Sequence, residues 1–282
     1  MTNPSTTGED FLVDGTSLMT YAYAIQTLAG RERLPPKIGD NIRIPYRHGR
    51  IWKPKTYDQQ LITLGMWVRG VTTAGVVPSQ GERAQFNTNL RSLKRLFGPT
   101  GRQLALQRTM LYVTGMETHN AQGEVASGAA SAANEMDLVP ATIRFGTFTV
   151  DIVMADPWWY GPQQVITMPA TINNPGDVEA TNLLLAFNGP LTNPMLTNTS
   201  VSPNIAVWYT GTIPTGQSVN LDTSAFTAKD GAGNSIIGGV SHIGSLRWML
   251  LEPGNNVITL TNQAGGSVGT GSVSLTYSPP YT

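Results

Sequence analysis

Alternation of apolar and polar residues dominates this chain, and a helical period appears in one place. Over residues 60–70, Ile62, Leu64, Met66 and Val68 share one phase of a period-two pattern, that of a strand with one buried face. Ser79-Gln80-Gly81-Glu82 has the spacing of a capping box. Behind it Phe86, Leu90, Leu93 and Phe97 recur at helical intervals until Gly98-Pro99 stops them, which predicts an amphipathic helix near 80–97. Its polar side carries Arg83, Arg91, Lys94 and Arg95, which read as a solvated or partner-facing surface ahead of the alternative, a nucleic-acid patch. Residues 102–108 and 110–116 read as two strands. The Ala, Ser and Gly run at 120–134 lacks the apolar mass to hold itself in a core, so it is expected to be a mobile loop or a segment ordered against a neighbour. Beyond it Phe148, Val150, Ile152 and Met154 share a face, whereas Ile143 and Phe145 fall in the opposite phase, which predicts a bulge around Gly146.

From residue 163 onward every local sign is β. Leu183/Leu185/Phe187, Ile205/Val207/Tyr209, Val257/Thr259/Thr261 and Val273/Leu275/Tyr277 alternate, and Gly, Pro and Asn punctuate them. Short strands at this spacing predict a sandwich or jelly roll. Around Pro253-Gly254, two strands are expected to flank a turn with the type II signature, and the Gly-rich 263–271 reads as a hairpin loop. The fold class is therefore mainly β: an α+β N-terminal domain with one helix, then an antiparallel β-sandwich.

The segment Ala155-Asp156-Pro157-Trp158-Trp159-Tyr160-Gly161-Pro162 divides two regions of different charge. Up to Pro162 there are 16 Lys and Arg and 13 Asp and Glu; after it there are 2 and 5. Prolines restrict the backbone on both sides, so the reading is two domains, 1–162 and 163–282, with a stiff joint of Asp156, Pro157, Trp158, Trp159 and Tyr160. Three adjacent aromatics would form an exposed patch in a free linker, and are expected to pack between the domains or under one of them.

Charged residues make up 13% of the 282 positions and net charge is zero, which removes any general attraction to nucleic acid or anionic membrane and suits a protein of a large assembly. There is no cysteine, so disulfides and thiolate metal sites are excluded. The first residues lack a secretory pattern and no apolar run reaches membrane-span length, so the expectation is a protein made and left in a cytosol unless lysis releases it. The sequon at Asn198 is then a chance match. His48, His119 and His242 lie far apart, with no neighbours at metal-ligand spacing. Gly265-Gly266-Ser267-Val268-Gly269 matches a nucleophile-elbow pattern, but no histidine follows residue 242. No phosphate-binding loop is present. The reading is a non-enzyme without cofactor or metal.

Arg43-Ile44-Pro45-Tyr46-Arg47-His48-Gly49-Arg50, Tyr57-Asp58, Trp67-Val68-Arg69-Gly70, the single helix and the strand entering Asp156-Pro157-Trp158-Trp159-Tyr160-Gly161 together resemble the N-terminal domain of the siphophage distal tail protein family. Asn174-Pro175-Gly176-Asp177, Phe187-Asn188-Gly189-Pro190 and Glu252-Pro253-Gly254-Asn255-Asn256 resemble the galectin-like sandwich that follows in those proteins. The resemblance spans about residues 9–282. It implies a virion structural protein assembled in the host cytoplasm, whose N-terminal domains close a hexameric ring at the tail-tube end while the sandwiches project outward. The implied partners are itself, the tail tube protein and a tail tip or baseplate hub protein, and it implies no catalytic residue. A departure from the family pattern is the basic 31–55 segment, with eight Lys and Arg against Glu32 and Asp40; Arg43, Arg47, Arg50, Lys53 and Lys55 are its candidate partner-facing residues. The alternative reading is a carbohydrate-binding adhesin module that uses surface aromatics such as Trp208 and Tyr209.

Overall fold

The computed structural model describes residues 9–29, 34–38, 42–43, 50–51, 56–98, 101–112, 115–126, 145–244 and 248–282. The chain forms two compact units, Met1–Trp159 together with Thr282, and Tyr160–Tyr281. The division falls three residues before the position expected from charge.

In the first unit the strands are β1 (Asp10–Val13), β2 (Thr16–Ser17), β3 (Tyr23–Ala29), β4 (Lys37–Ile38), β5 (Ile42–Arg43), β6 (Arg50–Ile51), β7 (Thr56–Tyr57), β8 (Gln60–Arg69), β9 (Gln103–Tyr112), β10 (Gly115–Val125) and β11 (Phe145–Met154), with helix α1 (Glu82–Phe97) between β8 and β9. The main sheet is antiparallel in the order β2-β1-β9-β10-β11-β8-β3. Its buried face is built by period two: Ile62, Leu64, Met66 and Val68 on β8, Phe148, Val150, Ile152 and Met154 on β11, Leu104 and Leu106 on β9, and Phe11 and Val13 on β1.

Helix α1 buries Phe86, Leu93 and Phe97, and Phe97 stacks on Phe148 with centroids 5.9 Å apart. Leu90 is only half-buried, and Asn89 takes the buried place beside it. The Asn89 amide donates to the carbonyls of Arg69 and Val71 at 2.7 and 2.8 Å, and its oxygen accepts from Gln85. This ties the helix to the end of β8. The crossing is close: a Cβ on Gly70 would sit 2.3 Å from the Glu82 carbonyl oxygen, so glycine is required there. The expected capping box does not form. The Gly81 N–H closes a turn onto the Pro78 carbonyl, and Gly81 itself, at φ 88°, is the N-cap with no side-chain cap.

Three further expectations in this unit are corrected. The two strands expected at 102–108 and 110–116 are instead β9 and β10, paired without interruption from Tyr112↔Gly115 to Gln103↔Glu124. Thr109 and Thr118 face each other across the ladder, 3.1 Å apart through their hydroxyls, so the polar position is an outward strand position and not a break. The first part of the 120–134 run belongs to β10, with Ala121, Gly123 and Val125 buried. A Cβ on Gly123 would lie 2.6 Å from Ile152 Cγ2, so small size here serves packing. Residues 127–134 lie outside the described residues. No bulge interrupts β11, whose register with β8 runs unbroken from Phe145↔Arg69 to Met154↔Gln60, and Ile143 lies outside the described residues. The irregularity is in edge strand β3, where the pairing skips Gln26 between Ile25 and Thr27.

After β12 (Trp159–Tyr160), which straddles the division, the second unit contains β13 (Gln164–Met168), β14 (Ala170–Asn174), β15 (Leu184–Asn188), β16 (Leu191–Thr192), β17 (Pro194–Asn198), β18 (Ile205–Tyr209), β19 (Thr212–Ile213), β20 (Ser218–Asp222), β21 (Thr227–Asp230), β22 (Val240–Ile243), β23 (Gly254–Asn262), β24 (Ser272–Tyr277) and β25 (Pro280–Tyr281). Two five-stranded antiparallel sheets, β13-β24-β15-β20-β21 and β14-β23-β17-β18-β22, enclose one apolar core. Leu185, Phe187, Leu221, Val273 and Leu275 come from the first sheet and Ile172, Leu196, Val207 and Ile258 from the second. This is the expected sandwich.

Three details differ from the sequence reading. Val257, Thr259 and Thr261 form the outer face of β23, with Val257 42% exposed, while Asn256 and Ile258 point inward. Gly254 has the positive φ, 89°, that a type II turn requires, but a strand follows the turn without one preceding it, since Leu251 makes only an isolated bridge to Ala180. Buried amides hold that segment instead: Asn256 exchanges bonds with the Glu252 backbone in both directions, and the Asn198 and Asn174 amides donate to the Leu250 and Leu251 carbonyls. Finally, 263–271 is not a hairpin loop. It carries the chain from β23 in one sheet to β24 in the other.

Candidate functional site

The aromatic joint is built on strand ends. Asp156 is exposed and Pro157 buried. Trp158 is half-buried with its ring edge-on to Tyr57, centroids 4.9 Å apart. Trp159 has no solvent exposure: it meets Phe11 in a T-shaped contact at 6.0 Å, and the Arg108 guanidinium lies 4.6 Å from its ring centroid. Its indole N–H has no hydrogen-bond partner among the described residues. Both tryptophans thus pack on side chains of the first unit. Tyr160, in the second unit, accepts a 2.8 Å hydrogen bond from the Asn182 amide.

Arg108 and His119, neither of which stood out in the sequence as functional, organise the floor beneath Trp159. Arg108 is 3% exposed and His119 fully buried. Arg108 Nε donates to His119 Nδ1 at 3.4 Å, and its terminal nitrogen donates to the Thr282 backbone oxygen at 2.8 Å. With Nδ1 accepting, a neutral His119 carries its proton on Nε2, which faces a Glu117 carboxylate oxygen at 3.5 Å. The buried guanidinium therefore has an aromatic face, an imidazole and a backbone oxygen among its neighbours, contacts that offset the cost of burying it. A signal was present: Arg108 continues the inward phase of Leu104 and Leu106 on β9, as His119 does that of Ala121 on β10.

Of the basic 31–55 segment, Arg43 and Arg50 pair across the short β5–β6 ribbon. Arg47, Lys53 and Lys55 lie outside the described residues. Lys37 Nζ sits 5.2 Å from the Tyr57 ring centroid. On α1, Arg83, Arg91, Lys94 and Arg95 are all exposed and form no ion pair among the described residues. Beyond the helix, Arg102 pairs with Asp14 at 2.6 Å and donates to the Leu96 carbonyl at 2.9 Å, satisfying an acceptor of the last turn. Beneath the helix, burial pushes the Tyr23 hydroxyl above its usual range, partly offset by Ser92.

Where β9 meets β10, Leu111 at 60% exposure is directly paired with Met116 at 43%, while Tyr112, next along the strand, points to the opposite face, its ring 6.0 Å from that of His119. In the second unit Trp208 and Tyr209 are both half-buried, and Tyr209 packs against the sandwich core. The β20–β21 turn is held by Asp222. Burial pushes this carboxyl up, but the N–H groups of Ala225 and Ser224, the Ser224 hydroxyl and the Lys229 charge outweigh it and leave it below the ordinary range. Among the described residues no three His, Asp or Glu side chains converge as metal ligands, and no helix is long and apolar enough to cross a membrane.

No family model matches this chain, and no curated protein matches it. Solved structures do. The Dit protein (gp 19.1) of phage SPP1, described as a paradigm of the hub adsorption apparatus in phages infecting Gram-positive hosts, matches with a TM-score of 0.62 at 12% identity, over 97% of this chain and 99% of that one. The phage p2 baseplate in its activated conformation with Ca matches at 0.40 and 8% identity, over 95% and 97%; the form with Sr matches at 0.37 and 6%, over the same shares. The likeness to the Dit protein is one of fold.

Proposed function

We propose that this chain, which shares the fold of the SPP1 Dit protein, is a structural protein of the virion of a long-tailed phage, six copies of which close a ring at the distal end of the tail tube and join the tube to the tail tip or baseplate. The observation that carries this reading is the length of the likeness: one alignment takes in 97% of the chain, and so both compact units in their order. In this reading the first unit makes the ring and the sandwich faces outward. Its partners are further copies of itself, the tail tube protein and the tip or baseplate hub. It assembles in the host cytoplasm and performs no catalytic step.

Two features of the first unit support an assembly role. The exposed pair Leu111 and Met116 offers apolar area that burial against a neighbour would remove from water. Arg83, Arg91, Lys94 and Arg95 on α1 form no ion pair among the described residues, so a partner can supply their counter-charges. Light scattering on the purified full chain during size-exclusion chromatography tests the reading. A species of six times the monomer mass is expected, and a monomer at every concentration, low salt included, would overturn it.

A further inference from the structure

A cleft of about 230 Å³ opens in the second unit, lined by Tyr160, Gln163, Asn182, Leu184, Thr276, Tyr277 and Ser278. It lies where β13 begins, β24 ends and β15 begins, on the outer face of that sheet. Register places Val165, Thr276 and Leu184 in one row across the three strands, with Val165 67% and Leu184 48% exposed. Tyr277 points the other way: its ring is buried, and its hydroxyl lies within 3.0 Å of Gln164 Oε1 and the Asn173 carbonyl.

The chemistry of the lining is narrow. No Asp, Glu, Lys, Arg or His is in it, so an anionic ligand meets no cation there and an amine meets no carboxylate. Hydroxyls and amides remain, and few of them are spent. The Asn182 amide uses one N–H on Tyr160, leaving a second N–H and its carbonyl oxygen, while the side chains of Gln163, Thr276 and Ser278 make no hydrogen bond among the described residues. Beside them stand the Tyr160 ring and the exposed flank of Leu184. Several convergent neutral donors and acceptors next to an apolar face match a ligand with hydroxyls around its rim and C–H groups on one side.

We propose that this cleft is a binding site for a neutral pyranose unit of a saccharide. Asn182, Gln163, Thr276 and Ser278 hydrogen-bond the ring hydroxyls, and Tyr160 and Leu184 cover one C–H face. The site is distinct from Trp208 and Tyr209, the aromatics that sequence suggests for such a role; both are half-buried, and a Cβ on Gly239 would come within 2.7 Å of the Tyr209 ring. A site of this size, open to solvent, binds one sugar ring with a dissociation constant in the millimolar range. Repeated presentation of the cleft on an assembled particle would multiply that affinity.

The test is saturation-transfer and proton–nitrogen correlation NMR on the full chain, titrated with galactose, glucose and N-acetylglucosamine, with glucuronate as the charged control. At least one neutral sugar is expected to give saturable shifts centred on residues 160–163, 182–184 and 276–278. Asn182→Ala and Thr276→Val, both surface changes that leave the melting temperature in place, are each expected to weaken that binding at least tenfold. The proposal is overturned by the absence of saturable shifts with all three sugars, by shifts centred on Trp208 and Tyr209, by glucuronate binding as well as the best neutral sugar, or by unchanged binding in both variants.

Discussion

Replacing Trp159 with Ala should destabilise the first unit far more than the same change one residue earlier. The Trp159 ring is fully buried, whereas Trp158 is half-buried and among the described residues makes one ring contact, with Tyr57. A buried tryptophan removes about 200 Å² from water, worth about 5 kcal/mol at 25 cal/mol per Å². The retained Cβ and the compactness of the unfolded chain reduce this to about 3–4 kcal/mol. Loss of the ring also opens a cavity beside Phe11 and removes the face on which the buried Arg108 guanidinium rests, so the cost should not fall below that figure. For Trp158→Ala the half-buried area and the edge contact with Tyr57 come to about 1–2 kcal/mol. For a unit of this size the larger loss lowers the melting temperature by about 10 °C. The assay is urea unfolding followed by hydrogen exchange resolved by segment, because two compact units can melt separately. Protection should fall at Phe11, Arg108 and His119 and persist across β15, β20 and β24. Equal costs for the two variants, or a loss below about 1 kcal/mol for Trp159→Ala, would refute the reasoning.

Three further outcomes follow from single side chains. Asn89→Ala leaves the Arg69 and Val71 carbonyls without their donor and should cost about 2 kcal/mol in urea unfolding, with α1 losing exchange protection before β8; an unchanged midpoint would contradict the role given to this amide. Arg108→Met keeps an apolar stem on Trp159 but deletes the donors to His119 and Thr282; a loss of about 1–3 kcal/mol with faster exchange at β10 is expected, and a stabilised variant would show that the buried charge has no structural use. Asp222→Asn should lower stability at neutral pH. A carboxylate held below its unfolded value stabilises the fold above about pH 4, and that contribution disappears as pH falls through the folded value, so the gap between wild type and variant should close in acid. A gap constant from pH 7 to pH 3 would contradict it.

Period-two alternation was enough to place β8, β11 and β24, because each has one face in a core and the other in a different environment, which is what that period reports. It misjudged positions where a small or polar residue does a core residue's work. Gly123 is small because Ile152 on the neighbouring strand presses on it, and Asn89, Asn174, Asn198 and Asn256 are buried because their amides bond backbone carbonyls at strand ends and turns. Sheet membership was also beyond local pattern: β23 and β24 look like two arms of a hairpin, and only long-range pairing assigns them to opposite sheets. For the joint, composition indicated a boundary and aromaticity indicated burial, yet the partners that bury Trp159 come from residues 11 and 108, far away in sequence.

The claim that this is a tail-ring protein is met most directly by electron microscopy of the purified full chain at micromolar concentration and low salt. Class averages should show a six-fold ring with the first unit around the lumen and the sandwich at the periphery. Particles of monomer size only, or rings in which the sandwich lines the lumen, would contradict it.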